Sequence, residues 1–263
     1  MSLRFAPLYS GSSGNCSLVS AGGTNILIDA GMTGKAVLSA LDDVGVEAKD
    51  ISAIVVTHEH SDHIKAVGIL SRKFDIPVYA NEGTWKAMSP LIGGVAMKNI
   101  RTFVTGQNFY IGDVDLTPFP TSHDAAEPVG YAFFHKGSRL VYMTDTGYVT
   151  DKLRETAQGA DLLFLESNHD IDMLKNGAYP YVLKKRILSD KGHLSNAAAG
   201  ELLLKLYNTG VRRAILAHLS RENNTETVAY NTVRACLSDG GIREKDCFLA
   251  VAHRDRVTGV FDI

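Results

Sequence analysis

The sequence predicts an α/β fold, two mixed β-sheets packed together and flanked by helices in a four-layer αββα sandwich. Three observations carry this reading. Short apolar, β-branched runs bounded by Gly, Asn, Asp or Pro recur along the whole chain. They fall into two blocks, each with neighbouring segments of helical periodicity. No Pro-rich linker, low-complexity tract, charge block or fixed-period repeat separates the blocks, so residues 1–263 are expected to form a single domain.

In the first block, Phe5 to Tyr9, Cys16 to Ser20 and Asn25 to Asp29 read as strands joined by Gly-rich turns, followed by Ala53 to Thr57 and Pro77 to Ala80. The second block supplies Ile100 to Val104, Val114 to Phe119, Val129 to Phe134, Leu140 to Thr144, Leu162 to Glu166 and Arg213 to Ala217. A C-terminal pair, Phe248 to Val251 and Gly259 to Asp262, closes it. Helical spacing appears at Lys35 to Val44, Ala66 to Arg72, Asp151 to Ala157, Asn196 to Tyr207 and Thr225 to Leu237. Thr33, Thr150 and Ser195 are placed as N-caps. His135 precedes Lys136-Gly137, a hairpin turn, and His253 has no partner that the sequence suggests.

A length of 263 residues, 45% hydrophobic and 21% charged, is an ordinary globular balance. The formal charge of −2 rules out a general polycation, so contact with nucleic acid requires a local basic patch. Cys16, Cys236 and Cys247 are odd in number and scattered, which fits a reducing compartment better than a disulfide framework. The opening Met1-Ser2-Leu3-Arg4-Phe5 lacks the apolar core of a signal peptide, and no apolar run approaches the ~20 residues of a membrane helix. A soluble, cytoplasmic protein without membrane attachment is expected.

Thr57-His58-Glu59-His60-Ser61-Asp62-His63 reads H-x-H-x-D-H. The run Ile54-Val55-Val56 before it looks like a buried strand, so the histidines leave that strand on a loop, with a helix starting near Ser61 or Asp62. A tight turn lets alternate side chains converge, and imidazole with carboxylate is a ligand set for Zn²⁺, Mn²⁺ or Fe²⁺. Further polar residues close apolar strands downstream: His123 after Phe119-Pro120, Asp145 after Leu140-Val141-Tyr142, and His218 after Ala214-Ile215. Layered α/β proteins collect active-site residues at such strand ends. Tyr9 to Cys16, with Ser10-Gly11-Ser12-Ser13-Gly14-Asn15, either exposes backbone N–H groups to an anion or is a plain hairpin turn.

This ordered set resembles the metallo-β-lactamase-fold superfamily over nearly the whole chain. Asp29 in Ile28-Asp29-Ala30-Gly31, then His58-x-His60-x-Asp62-His63, His123, Asp145 and His218 carry the likeness. It implies two divalent ions, Zn or Mn with Fe open. His58, His60 and His123 would hold one; Asp62, His63 and His218 would hold the other; Asp145 would bridge them. Asp29 would orient the loop through hydrogen bonds, or else serve only as a turn former before Gly31. Lactamases proper usually carry Cys or Ser where Asp145 stands, so antibiotic degradation is not expected. Flavodiiron proteins replace the second histidine, here His60, with Glu, and the insertion of β-CASP nucleases is absent.

Gly192-His193-Leu194-Ser195-Asn196 is similar to a segment of compact phosphodiesterases of that superfamily, whose His contacts the scissile phosphate. The alternative is an ordinary helix entry. Ser13, Asn15, Ser195, Asn196 and Lys185 are candidate phosphate contacts, with Lys184, Arg186 and Lys191 near Lys185. Together with Leu165-Glu166-Ser167-Asn168-His169-Asp170, the motifs resemble the YycJ (WalJ) group of bacterial proteins. That likeness implies a 5′ to 3′ DNA exonuclease linked to mismatch repair. Glu166 and His169 would then touch substrate or support ligands, or they only cap a strand. His193 would protonate the leaving oxygen or stabilise charge on the phosphorane, and Asp62, a weaker base as a ligand, would accept a proton from the attacking water. A small-molecule phosphodiesterase, or a thioesterase or lactone hydrolase on the same ligands, is the alternative. Oligomeric state is not legible.

Overall fold

The computed structural model describes residues 2–263. Its strands are β1 Arg4–Tyr9, β2 Cys16–Ala21, β3 Thr24–Ile28, β4 Ala53–Val55, β5 Val78–Ala80, β6 Ile100–Thr102 and β7 Phe109–Ile111. They continue with β8 Val114–Pro120, β9 Val129–His135, β10 Ser138–Met143, β11 Leu162–Glu166, β12 Arg213–Ala217, β13 Phe248–Val251 and β14 Phe261–Asp262. The helices are α1 Gly34–Asp43, α2 Ser61–Ile64, α3 Val67–Phe74, α4 Glu82–Ile92 and α5 Asp151–Ala157, then α6 Ile171–Asn176, α7 Tyr181–Ile187, α8 Asn196–Tyr207 and α9 Glu226–Asp239. Two seven-stranded sheets result, ordered β14-β1-β2-β3-β4-β5-β6 and β13-β12-β11-β10-β9-β8-β7. Both are mixed, with parallel pairs from β3 to β6 and from β10 to β13.

The chain forms two compact units. One holds the segment up to Pro120 with Ala125–Ser138 and His253–Ile263; the other holds Thr121–Asp124 and Arg139–Ala252. In the first unit, β3 and β4 are buried along almost their whole length, as parallel strands covered by helices must be. Val37, Leu41, Val67, Leu70, Trp85 and Met88 from α1, α3 and α4 join the core cluster with Leu27 and Ile54. In the second unit, every residue of β11 is buried, and Tyr142 stacks on Phe164 at 4.8 Å. The chain packs α8 against α9 through Gly200, where a Cβ would stand 2.9 Å from Cys236 Cβ.

Thr33, Thr150 and Ser195 cap their helices through side-chain oxygens, as the sequence predicts, and Thr225 caps α9 one residue before its expected interior. Three differences have physical causes. The strand expected to reach Thr57 ends at Val55, because the Asp29 carboxylate takes the Thr57 N–H at 2.8 Å in place of a strand neighbour. The α4 helix was not expected: Gly83 and Pro90 look like breakers, yet Asn81 caps it and Trp85, Met88 and Ile92 bury one stripe. The expected strand from Gly259 shrinks to Phe261–Asp262, paired with the edge of β1.

The loops that matter for function are laced together in the first unit. Asn15 N donates to Asp62 O at 2.8 Å, Gly31 N to Asn15 O at 2.8 Å, and Ala30 N to His63 O at 2.8 Å. Tyr131 Oη donates to Val56 O just before the histidine loop, at 2.5 Å. A Cβ on Gly31 would overlap the Asp62 carbonyl. Gly31→Ala is therefore expected to lower unfolding stability by about 1–3 kcal/mol by overpacking. Denaturant titration checks the stability, and the metal content of the purified variant reports displacement of the 58–63 loop.

Candidate metal centre

The first unit presents His58, His60, Asp62 and His63 on the turn between β4 and α2, with His60 as the N-cap residue of α2. One buried carboxylate organises this turn. Asp29 Oδ1 accepts from Thr57 N at 2.8 Å, and Oδ2 accepts from Thr57 Oγ1 and His63 Nδ1, each at 2.8 Å. Burial pushes the Asp29 carboxyl up, and the bonds from His63 and Thr57 pull against that rise. Thr57 gives its single hydroxyl proton to Asp29, so at 3.0 Å His58 Nδ1 must donate to Thr57 Oγ1. Both imidazoles thus carry their proton on Nδ1 and turn the Nε2 lone pair outward from these acceptors.

That tautomer has a consequence. His58 Nε2 lies 3.1 Å from His60 Nδ1. Two nitrogens on one tetrahedral ion at ordinary Zn–N distances stand about 3.3 Å apart. The spacing and donor type therefore fit a shared divalent cation. Of the two readings of Asp29, turn former or loop organiser, the bonds to Thr57 and His63 favour the second.

The second unit repeats the device. His123 Nδ1 is 3.1 Å from Gly192 O, and His218 Nδ1 is 2.9 Å from Glu166 Oε1, so each again offers Nε2. His193 Nδ1 binds the same Glu166 oxygen at 2.8 Å. Glu166 Oε2 accepts from Thr146 N at 2.8 Å and Leu194 N at 3.2 Å. Burial would raise this carboxyl, but His193 and His218 together hold it well below the usual carboxylate range. Ligand atoms of Asp145, Glu166, His193 and His218 all lie within 4.8 Å of one another. Asp145 Oδ1 is 3.4 Å from His218 Nδ1 and 3.7 Å from His193 Nδ1.

Three of the residues singled out from the sequence sit in the left-handed backbone region: Asp29 at φ 59°, Asp145 at φ 56° and His218 at φ 57°. Asp and His are among the non-Gly side chains that most often adopt this uncommon region, and the Asn168 amide holds the His218 turn by donating to His218 O at 2.8 Å. Each such turn re-aims a side chain at the end of a strand.

Other expected contacts fall differently. Asn15 is buried; its Oδ1 accepts from Gly11 N at 3.0 Å and its Nδ2 lies 3.0 Å from His63 Nε2. Asn196 is buried against Ser167 Oγ at 2.6 Å and the Asn224 amide at 2.9 Å. Both side chains are engaged inside the fold, and the phosphate candidates that lie exposed are Ser13 and Lys185. Ser13 is exposed and lines an open cleft with Ser12, Gly31, Asp62 and Lys65. Ser195 spends its hydroxyl on the α8 cap, and Lys185 is exposed. His253, without a partner in the sequence reading, has Arg256 Nη2 at 3.4 Å. Thr57 was missed as a functional residue; its only signal is its place between the strand and the histidines. Tyr9 to Cys16 does form a hairpin connection between β1 and β2.

His169 is 1% exposed, and neither ring nitrogen has a hydrogen-bond partner. Burial lowers its pKa to about 4; Glu166 opposes that shift. No helix among the described residues is long and apolar enough to cross a membrane.

The comparisons agree with this architecture. A family model described as a beta-lactamase superfamily domain matches residues 24–219. Over 248 residues the chain is 42% identical to exodeoxyribonuclease YycJ of Bacillus anthracis, covering 94% of each. It is 40% identical over 232 residues to exodeoxyribonuclease WalJ of Streptococcus pneumoniae serotype 2 strain D39, covering 88% of this chain and 86% of the relative. Among solved structures, the metallo-beta-lactamase fold protein YhfI of Bacillus subtilis superposes with a TM-score of 0.76 at 17% identity, covering 98% of this chain and 99% of that one. This likeness shows the αββα fold class that the sequence predicts.

Two outcomes are expected. Glu166→Gln removes the shared acceptor charge and should weaken metal affinity about 10–100-fold, read by chelator competition. In metal-free protein, His169 is neutral when folded down to about pH 4, whereas the unfolded chain takes its proton near pH 6.5. The unfolded state binds more protons in that window, so stability falls as pH drops through it. Between pH 7 and pH 5 the loss from this group is on the order of 2 kcal/mol. Denaturant midpoints of the parent and His169→Asn should diverge at pH 7 and converge toward pH 5; parallel pH profiles would refute the assignment.

Proposed function

From its membership of the metallo-β-lactamase superfamily, to which this chain belongs, we propose that it is a DNA exonuclease using two divalent cations. The chain is a metal-dependent hydrolase. The observation that carries the phosphodiester reading is His193: its Nδ1 is fixed by the buried Glu166 carboxylate, beside His218 and Asp145. A carboxylate at Nδ1 stabilises the imidazolium and leaves Nε2–H to be given away. That is the group an alkoxide leaving from phosphorus requires, whereas a carbonyl hydrolase has less need of it. The DNA substrate is supported by the exodeoxyribonuclease relatives, which match over most of both chains.

In this reading His58, His60 and His123 would hold one ion, Asp62, His63 and His218 would hold the other, and Asp145 would serve both. Bound there, such ions supply a water acidic enough to ionise near neutral pH and positive charge for the phosphate oxygens. The chain's own groups do the rest. Asp29 and Glu166 hold the imidazoles in the ligating tautomer. His193 passes its Nε2 proton to the departing sugar oxygen, and Asp62 accepts a proton from the attacking water. The imidazole-rich set suits Zn²⁺, the carboxylates keep Mn²⁺ open, and Fe²⁺ is the third option. The proposal extends to digestion from the 5′ end, a cytoplasmic setting and partners in mismatch repair, which the resemblance of the sequence motifs to the YycJ (WalJ) group implies.

His193→Ala should keep its metal yet lose about 10²–10⁴ in turnover on end-labelled DNA. His60→Ala or Asp145→Asn should lose metal and activity together. Elemental analysis beside an assay with Mn²⁺ or Zn²⁺, and with chelator, separates these cases. Parental turnover in His193→Ala would overturn the proton-donor role. Hydrolysis of bis-p-nitrophenyl phosphate with no attack on DNA would leave a small-molecule phosphodiesterase.

A further inference from the structure

We propose that the exposed face of α7 is a track for single-stranded DNA that leads to His193, an inference that rests on the exonuclease reading. This short helix buries Ile187 and turns Tyr181 and Val182 outward, each 78% exposed. Exposing a Tyr and a Val side by side has no packing reward, and exposed lysines stand on α7 and on the loop after it. Lys185 lies one turn beyond Tyr181 on the same face, and Lys191 is exposed on the following loop. Asp190 is the only acid between Tyr181 and His193. The whole chain carries a formal charge of −2, so this local excess is set against a slightly acidic background.

Two other basic residues fix the helix in place. Lys184 Nζ donates to Lys175 O at 2.8 Å, tying α7 to the end of α6. Arg186 Nη2 donates to Asp124 Oδ1 at 3.0 Å, tying it to the residue after His123. The chain leaving α7 then enters the site directly. His193 N donates to Ile187 O at 3.0 Å, Ser122 Oγ to Asp190 O at 2.7 Å, and Gly192 O accepts from His123. The loop that follows α7 is thus bonded both to the end of that helix and to the His123 turn, and in the proposed track it carries the strand toward the proton donor. An aromatic ring beside ammonium groups is the chemistry that grips unpaired bases and their phosphates without regard to sequence. A protein partner would call for a larger apolar patch with fewer lysines.

The test uses metal-loaded enzyme with two probes. Binding is followed by fluorescence anisotropy with a phosphorothioate-linked oligothymidylate, and turnover with end-labelled single-stranded DNA and with bis-p-nitrophenyl phosphate. Tyr181→Ala should weaken oligonucleotide binding about tenfold and raise KM on DNA to match, while Tyr181→Phe keeps both. Turnover of the small ester should not change in Tyr181→Ala. Lys185→Gln combined with Lys191→Gln should flatten log Kd against log salt by about 1.4. If the parent digests DNA and these variants match it in Kd, KM and salt slope, the track is wrong and the exonuclease reading stands. If Tyr181→Ala loses small-ester turnover in proportion, the helix acts only by supporting His193, and the track is again wrong. If the parent neither binds the oligonucleotide nor cuts DNA, both readings fall.

Discussion

A buried carboxylate hydrogen-bonded to the Nδ1 of an imidazole is the constraint on which the site in each unit depends. Asp29 does this for His63, and Glu166 does it for His218 and His193. Free histidine divides its proton between two nitrogens and turns about two bonds. Locked at Nδ1, it has one direction, with an Nε2 lone pair for a ligand when neutral and an Nε2–H to give when protonated. Neither carboxylate is exposed, and an unpaired charge there would cost several kcal/mol. Glu166 answers that cost with two imidazole N–H groups and two backbone N–H groups. Stability and chemistry thus depend on the same bonds.

The backbone contributes at the same points. Asp29, Asp145 and His218 follow buried strands and adopt left-handed φ values. A strand alternates its side chains between two faces, so a continued strand would carry the next residue away from its target. One residue of reversed handedness stops the alternation and turns the side chain. The strain is tolerated because hydrogen bonds on either side hold the turn, Thr57 N to Asp29 and the Asn168 amide to His218 O among them.

Much of this was legible beforehand. The H-x-H-x-D-H cluster and the strand-end His123, Asp145 and His218 stand out because packing gives a chain no reason to place them there. Caps such as Thr33 and Ser195 were legible because capping is a local bond three residues long. Glu166 was noticed at the end of its strand, but its pairing with residues 27 and 52 positions away was not visible. Asn15 and Asn196 read as candidate phosphate contacts from their place in polar loop and helix-entry motifs, and both are buried fasteners in the fold. The outward Tyr181 in α7 had no signal, because a seven-residue helix has too little periodicity to show which side faces water.

From the linear order come the two blocks of strands, the capped helices, the ligand types and the family they resemble, since each is written in spacing of a few residues. Folding supplies the rest. It sets which nitrogen of each histidine is protonated, which carboxylate holds it, and which amides lose their water. Those outcomes depend on bonds between residues far apart in the chain and on burial, and neither has a local imprint in the order of residues.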